Sequence, residues 1–290
     1  VITVVDLGNF NIKYKSGSNQ GNFSSKITDY QPYPEGFERI QMQGESKITY
    51  LGVGELNKEF NKVARNYLPQ LLYAICRANN YDNIETNLVT LLPIVQMKNK
   101  EKMIENLKEK EFNFQFNGEK RKVLINDTIV LPEGYATYFS LSEEDKESSL
   151  CIIDLGSRTI NICVLQDGAI QLLHTIKLGS FDFYTKVKTR ENSKGEDYTE
   201  EDIPRLVENG TIEISDIEYE DFLTEVLNEV KAYVNLKTYK VIWTGGTALM
   251  LKEQIEKLPL NNSKLHNDPL NSNTNGAAGA AEIIWQSEEE

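Results

Sequence analysis

Asp6-Leu7-Gly8-Asn9-Phe10-Asn11-Ile12-Lys13 and Asp154-Leu155-Gly156-Ser157-Arg158-Thr159-Ile160-Asn161 are the two stretches that decide the fold. Each follows one plan. A β-branched, apolar run (Val1 to Asp6; Leu150 to Ile153) leads to an aspartate, a glycine turns the chain, and a second strand-like run follows (Ile12 to Tyr14; Thr159 to Leu165). In the first copy, Gly8 lets the backbone turn closely enough for its N–H groups to face an anion, and Lys13 adds a point charge. A single Asp-x-Gly turn is ordinary hairpin chemistry. Two of them read as duplicated halves, and two such turns facing each other would cradle a polyphosphate. Asp6 and Asp154 would then hold hydrated Mg²⁺, which takes one or two carboxylates together with phosphate oxygens. A third element agrees with this. The strand Lys240 to Trp243 runs into Thr244-Gly245-Gly246-Thr247-Ala248 and then the helical Leu249 to Leu258. Paired glycines there allow a flat nucleoside to lie against the backbone, near a helix N-terminus that favours phosphate.

Working outward, Arg39 to Gln43 and Lys47 to Val53 flank Gly44-Glu45-Ser46 as a hairpin. Phe60, Val63, Tyr67, Leu71, Ala74 and Ile75 recur at helical spacing and predict a helix from Leu56 to about Arg77, with Pro69 as the place for a bend. Asn87 to Leu92 is a buried strand, and a charged helix is expected from Asn99 to Glu111. Phe112, Phe114 and Phe116 alternate up to Asn117-Gly118, with Val123 and Ile125 after it, the pattern of a type I′ hairpin. Lys120, Arg121 and Lys122 on its return arm read as charges guarding a sheet edge rather than as a nucleic-acid patch. The polar run 142 to 149 separates the halves. Beyond it a helix Phe181 to Thr189, a segment Glu200 to Val207, a short Thr211 to Ile214 run and a helix Tyr219 to Val234 are expected.

Composition removes several classes of function. The chain has 290 residues, with 44 acidic against 31 basic ones and a net charge of -13. Such a surface repels phosphate backbones and anionic lipid, so no direct DNA or membrane contact is expected. Its longest apolar run, Leu88 to Val95, is far shorter than the roughly 20 residues that span a bilayer. Val1 opens a strand-like run without signal-peptide features, which predicts a cytoplasmic protein. Cys76, Cys151 and Cys163 lack C-x-x-C spacing, and His174 and His266 are the only histidines. Neither a zinc site nor a histidine triad fits those counts, so chemistry rests on carboxylates, lysine and backbone.

Together these motifs resemble the actin, heat-shock chaperone and sugar-kinase superfamily, with phosphate-1, phosphate-2 and adenosine motifs at residues 6–13, 154–161 and 244–248. Within it the sequence is similar to the ParM (StbA) plasmid-segregation actins. The likeness lies in the Asp-x-Gly-x-x-Asn-Ile-Lys pattern, the order of elements through Leu131-Pro132-Glu133, and the final Asn275-Gly276-Ala277-Ala278 into an apolar helix. It covers nearly the whole chain. The resemblance implies an α/β, actin-like (ribonuclease H-like) fold of duplicated domains around a nucleotide cleft. Domain I would span 1–149, with a small-subdomain insertion at about 30–86. Domain II would span 150–290, with a reduced insertion at about 185–217 and a closing helix at about 275–286 that returns to domain I.

The same resemblance implies nucleotide binding by Gly8, Asn9, Asn11, Lys13, Gly156, Ser157, Arg158, Thr159, Thr244, Gly245, Gly246 and Thr247. Mg²⁺ would be held by Asp6 and Asp154 through water, and Glu133 and Asp154 would be catalytic. Glu133 corresponds to the carboxylate near the attacking water in ParM-like actins. A first-turn carboxylate at a proline-started helix is its structural alternative. ParM-type phosphate-2 loops read Asp-x-Gly-Gly-Thr with a later Asp. Here Ser157 and Arg158 stand in place of Gly-Thr, and Asn161 in place of the Asp, so Arg158 is expected to reach a phosphate or a neighbouring subunit. The function implied is an ATP- or GTP-hydrolysing filament former that moves plasmid DNA through a ParR-type adaptor. The alternative is a small-molecule, sugar-type kinase of the same fold. A membrane-apposed actin is not expected, because neither end is a basic amphipathic helix and the chain closes on Glu288-Glu289-Glu290.

Overall fold

A computed structural model describes residues 1–57, 59–146 and 149–286. Glu288-Glu289-Glu290 and two positions of the 142–149 run, 147 and 148, lie outside the described residues. The chain forms two units, Val1–Ser140 with Asn273–Glu290, and Leu141–Ser272.

The first unit contains β1 (Ile2–Asp6), β2 (Asn11–Ser16), β3 (Asn19–Ser24), β4 (Ile27–Thr28), β5 (Arg39–Met42), β6 (Ile48–Leu51), α1 (Leu68–Asn79), β7 (Asn83–Leu92), α2 (Lys100–Leu107), β8 (Lys110–Phe116) and β9 (Glu119–Pro132). Its nine-stranded sheet runs β3-β2-β1-β7-β9-β8-β5-β6-β4. The second unit contains α3 (Glu143–Lys146), β10 (Leu150–Leu155), β11 (Ile160–Gln166), β12 (Ala169–Ile176), α4 (Ser180–Asn192), α5 (Ile203–Glu208), α6 (Asp216–Lys231), β13 (Lys240–Thr244), α7 (Gly246–Met250), α8 (Lys252–Glu256) and β14 (Ser263–Leu265), followed by α9 (Ser272–Gln286). Its five-stranded sheet runs β12-β11-β10-β13-β14.

The duplication read from the two turns is present in the strand order. In each unit the first strand pairs antiparallel with the second and the second antiparallel with the third: β1, β2 and β3 in one, β10, β11 and β12 in the other. On its other side the first strand pairs parallel with β7 or β13, which pairs parallel with β9 or β14. The parallel strands are covered on both faces and buried at every residue of Leu88–Leu92 and Leu150–Leu155, runs that are apolar but for Thr90 and Asp154. In the first unit α1 buries Leu71, Leu72 and Ile75 on one face of the sheet. On the other face Ala277 and Ala281 of α9 pack against Val4, Val89 and Leu91. Small residues allow this approach: a Cβ on Gly276 would lie 1.9 Å from the carbonyl oxygen of Ala136.

Several expectations need correction. The helix expected from Leu56 begins only at Leu68, with Pro69 in its first turn, where a missing N–H costs nothing. Residues 56–57 and 59–67 are irregular, and Lys62 and Arg65 supply buried charges instead. The helix expected over Asn99–Glu111 is a 3₁₀ segment, Ile94–Asn99, followed by α2, and Lys110 already starts β8. In the Lys120–Lys122 cluster only Lys122 lies opposite β7, across from its first residue Asn83, while Lys120 and Arg121 pair with Gln115 and Phe114 of β8. The cluster's charges are paired laterally, Arg121 with Asp82 and Glu119, and Lys122 with Glu111 at 2.8 Å. Thr211–Ile214 forms no strand, although Ile212 is buried. The Asn117-Gly118 hairpin has positive φ at both turn residues (53° and 87°), as a type I′ turn requires.

The division between units falls at 140/141 rather than 149/150 because Asp145 ties its segment to the second unit. Buried Asp145 meets the ammonium groups of Lys240 at 2.6 Å and Lys264 at 2.8 Å, and accepts a hydrogen bond from Ser142 at 2.9 Å. Burial opposes its ionisation, but the lysines and Ser142 outweigh that and bring the carboxyl down to about 2. A depressed carboxyl contributes stability above its unfolded pKa and loses it as pH falls through the folded value. Asp145→Asn should therefore lower the second unit's stability by about 2 kcal/mol at neutral pH, and the wild-type and variant curves should converge between about pH 4 and pH 2. Urea melts across that range check this.

Candidate functional site

In open α/β sheets, ligand chemistry collects at the carboxyl ends of parallel strands. In the first unit β1, β7 and β9 end side by side, at Asp6, Leu92 and Pro132. Asp6 is buried, and its carboxylate meets two lysines: Lys62 Nζ at 3.3 Å and, across the β1–β2 pair, Lys13 Nζ at 3.6 Å. Burial opposes its charge, yet Lys62 and then Lys13 outweigh it, so the Asp6 carboxyl stays below its ordinary range. Lys62 also donates to Glu133 Oε1 at 2.5 Å. Glu133 follows directly on β9, with its N–H bonded to the carbonyl of Leu92. Pro132 is the last residue of β9 and a 3₁₀ helix starts only at Ala136, so Glu133 is not the first-turn carboxylate of a proline-started helix. Its neighbour Gly134 donates to Asn273 Oδ1 of α9.

The Asp6–Lys13 turn is shaped by close contact. A Cβ on Gly8 would lie 2.1 Å from the carbonyl oxygen of Asn11, and Gly8 N–H donates to Asp6 O at 2.9 Å. Gly8 thus sets the turn, and its own N–H is spent inside it. Asn9 accepts from Arg65 at Oδ1 (3.1 Å) and from Ser25 at its carbonyl (2.6 Å), while Arg65 also donates to the carbonyl of Leu7. Lys62 and Arg65, both buried, are the residues that sequence reasoning missed. Their apolar neighbours Phe60, Val63 and Tyr67 matched a helical period, and the only contrary signal was Pro69, which marks a helix start at Leu68.

In the second unit Asp154 is the penultimate residue of β10, beside Thr244 of β13 and Asn161 of β11. Gly156 N–H bonds forward to Thr159 O at 2.8 Å and closes the turn, where Gly8 N–H bonds back to Asp6 O. Ser157 turns without a left-handed φ, which among the described non-glycine residues occurs only at Asn80, Glu109, Asn117 and Asp167. Its carbonyl accepts from Phe181 of α4 at 2.9 Å. Arg158 lies over the Phe181 ring, 5.3 Å from its centroid, half-buried and close enough to Glu201 and Asp182 to feel their charge. It is engaged with α4. Asn161 accepts from Thr175 at 2.8 Å and is a buried structural amide.

The third motif packs on the second. Gly245 has φ 92°, and a Cβ there would lie 2.3 Å from Leu155 O and 2.6 Å from Asp154 Oδ1. Thr247 donates to Gly156 O at 2.8 Å, and Thr244 shares its hydroxyl with Pro269 O and Ser272. Gly246 meets only Leu270, at ordinary contact distance. Asp154, Gly156, Thr159 and Thr244–Thr247 are therefore one interlocked set, as Asp6, Lys13 and Glu133 are in the first unit.

The carboxylates at the two strand ends are Asp6, whose charge Lys13 and Lys62 share, and Asp154, and one or two carboxylates beside phosphate oxygens are the donors that hydrated Mg²⁺ takes. Among the described residues no group of three or more His, Cys, Asp or Glu side chains is placed to hold a metal ion.

Residues 5–135 match the family model described as actin like proteins N terminal domain. No curated protein matches the chain. Among solved structures, the apo ParM protein of pSK41 is 16% identical and matches over 100% of this chain and 99% of its own, with a TM-score of 0.72. A subunit of a 15-stranded ParM filament from Clostridium botulinum is 19% identical over 97% and 99%, with a TM-score of 0.78. An archaeal actin homologue in complex with ADP is 16% identical over 98% and 99%, with a TM-score of 0.80. The fold is therefore actin-like along the whole chain, and the resemblance to the ParM-type actins seen in the motifs holds in the structure.

Gly245→Ala places a side chain in a glycine-only conformation against Leu155 and Asp154. The strained backbone alone should cost roughly 1–3 kcal/mol, and Gly246→Ala, whose Cβ would meet only Leu270 at an ordinary 3.6 Å, should cost less than about 1 kcal/mol. Thermal melts of the two variants check this contrast.

Proposed function

We propose that the chain is a nucleotide-dependent, filament-forming actin-like protein that hydrolyses ATP or GTP and segregates plasmid DNA through a DNA-binding adaptor of ParR type. The observation that carries this reading is the repeated strand order with an aspartate in the last two residues of the first strand of both units, followed by a glycine turn. Full-length likeness to a ParM filament subunit and to an ADP-bound actin homologue supports it. The net charge of -13 supports an adaptor, since an acidic surface needs a basic intermediary to hold DNA.

In this reading Gly8, Asn9, Asn11 and Lys13 of the first unit and Gly156, Ser157, Thr159, Thr244, Gly245, Gly246 and Thr247 of the second serve the nucleotide. Arg158, which lies over the Phe181 ring of α4, serves the nucleotide with them. Asp154, with Asp6 through water, would hold Mg²⁺, which when bound neutralises charge on the phosphate oxygens. A water oxygen bonds to the γ-phosphorus. The bond from that phosphorus to the bridging oxygen breaks, and its electron pair leaves with the nucleoside diphosphate. Glu133 orients the water and takes its proton. Phosphoryl transfer asks little more of a protein than this positioning.

Purified protein should sediment as polymer with Mg²⁺ and ATP or GTP, and less so after hydrolysis. Salt near physiological strength, where charges are screened over about 8 Å, should assist contacts between subunits of like charge. Polymer mass indifferent to nucleotide, or a monomer that phosphorylates a sugar, would count against the reading. Glu133→Ala should bind nucleotide and assemble yet hydrolyse about 10² to 10⁴ times more slowly, leaving long-lived polymer. Asp154→Ala should weaken Mg²⁺-dependent nucleotide use far more than it lowers the melting temperature.

A further inference from the structure

Lys62 is only 1% exposed and lies in an irregular segment, where no helix or strand fixes its backbone. A buried ammonium group persists only where its charge and its donors are matched. Both its ends are held. At the main chain, Lys62 N–H donates to Gln96 Oε1 at 2.9 Å, and Gln96 Nε2 donates to Phe60 O at 2.8 Å, so one buried amide grips both sides of the residue. Asn99 donates to Asn61 at 3.2 Å and strengthens the same clasp. At the tip, the ammonium bridges Asp6 Oδ1 at 3.3 Å and Glu133 Oε1 at 2.5 Å, two carboxylates that follow parallel strands separated by β7.

Packing alone does not account for this arrangement, since an apolar side chain of similar volume commonly stabilises a core at least as well as a buried ion pair. The ammonium contributes direction. It fixes one oxygen of Glu133 against a rigid strand end, and Gln96 fixes the ammonium. We infer that Lys62 is a positioning residue for nucleotide hydrolysis, holding the Glu133 carboxylate in the orientation that receives the attacking water, with Gln96 as its buttress. This rests on the assignment of Glu133 to hydrolysis above. Asp6 then has a second task besides any toward a metal, as the counter-charge that keeps Lys62 in place.

The test is a double-mutant cycle on kcat, with the Kd of a fluorescent triphosphate analogue and the melting temperature measured for every variant. Lys62→Met should lower kcat about 10²-fold while Kd changes less than about threefold, because a misdirected base costs rate and not binding. Gln96→Ala, which keeps the ammonium and frees its backbone, should lower kcat about 10-fold. In a Glu133→Gln background neither substitution should cost more than about twofold further, since the group they act through is gone. Should Lys62→Met not fold, the Gln96→Ala arm of the cycle carries the same test. A kcat for Lys62→Met, or in its place Gln96→Ala, within twofold of wild type overturns the inference. So do losses that multiply with that of Glu133→Gln. Wild-type protein that hydrolyses no nucleoside triphosphate overturns the functional reading itself, and this inference with it.

Discussion

Parallel pairing of β1 with β7 and of β7 with β9 is the constraint from which the first half of the molecule follows. It brings three strand carboxyl ends to one edge of a sheet, so Asp6 and Glu133, far apart in sequence, finish near one another with β7 between them. Two buried carboxylates at such spacing repel, and a buried cation is the remedy. Lys62 fills that place, Lys13 adds to it from β2, and the irregular 59–67 segment exists to deliver the charge. That segment in turn decides where α1 starts.

The second unit repeats the strand order and solves the same edge differently. No lysine stands at the register position of Lys13, since Asn161 occupies it and bonds to Thr175. The Asp154 turn is instead pressed against the Gly245 turn, where a hydrogen atom replaces any side chain, and Thr247 stitches the two together. Half of the duplicated plan is thus held by charge and half by backbone proximity.

The departures at Ser157 and Arg158 are absorbed locally. Ser157 keeps an ordinary backbone, and its carbonyl anchors α4, while Arg158 spends its guanidinium on Phe181 and nearby acidic groups. The unit keeps its turn although the glycine expected from the resemblance is missing, because the glycine needed for close approach is Gly245, across the interlock.

Much of this was legible in the sequence. The paired Asp-x-Gly turns, the alternating phenylalanines before Asn117-Gly118 and the largely apolar run into Leu92 each record a local rule: a turn that needs glycine, a pleat of period two, or a strand covered on both faces. Such rules act over a few residues and can be read in order, so fold class and duplication followed from them. Lys62, Arg65 and Gln96 obey no local rule. Their neighbours scan as a helix, and their positions are set by Asp6, Leu7, Asn9 and Glu133, which lie elsewhere in the chain. The place of β9 inside its sheet, and hence the lateral pairing of Arg121 and Lys122, was likewise hidden, because β8 returns to pair with β5 across long stretches of chain. The sequence by itself determined the strands that flank the Asp-x-Gly turns and the Asn117-Gly118 hairpin, while β3, β4, β12 and β14 entered only with the structure. Tertiary structure alone decided which buried charges meet, because matching a buried charge is a property of the groups brought together in space and leaves no period along the chain.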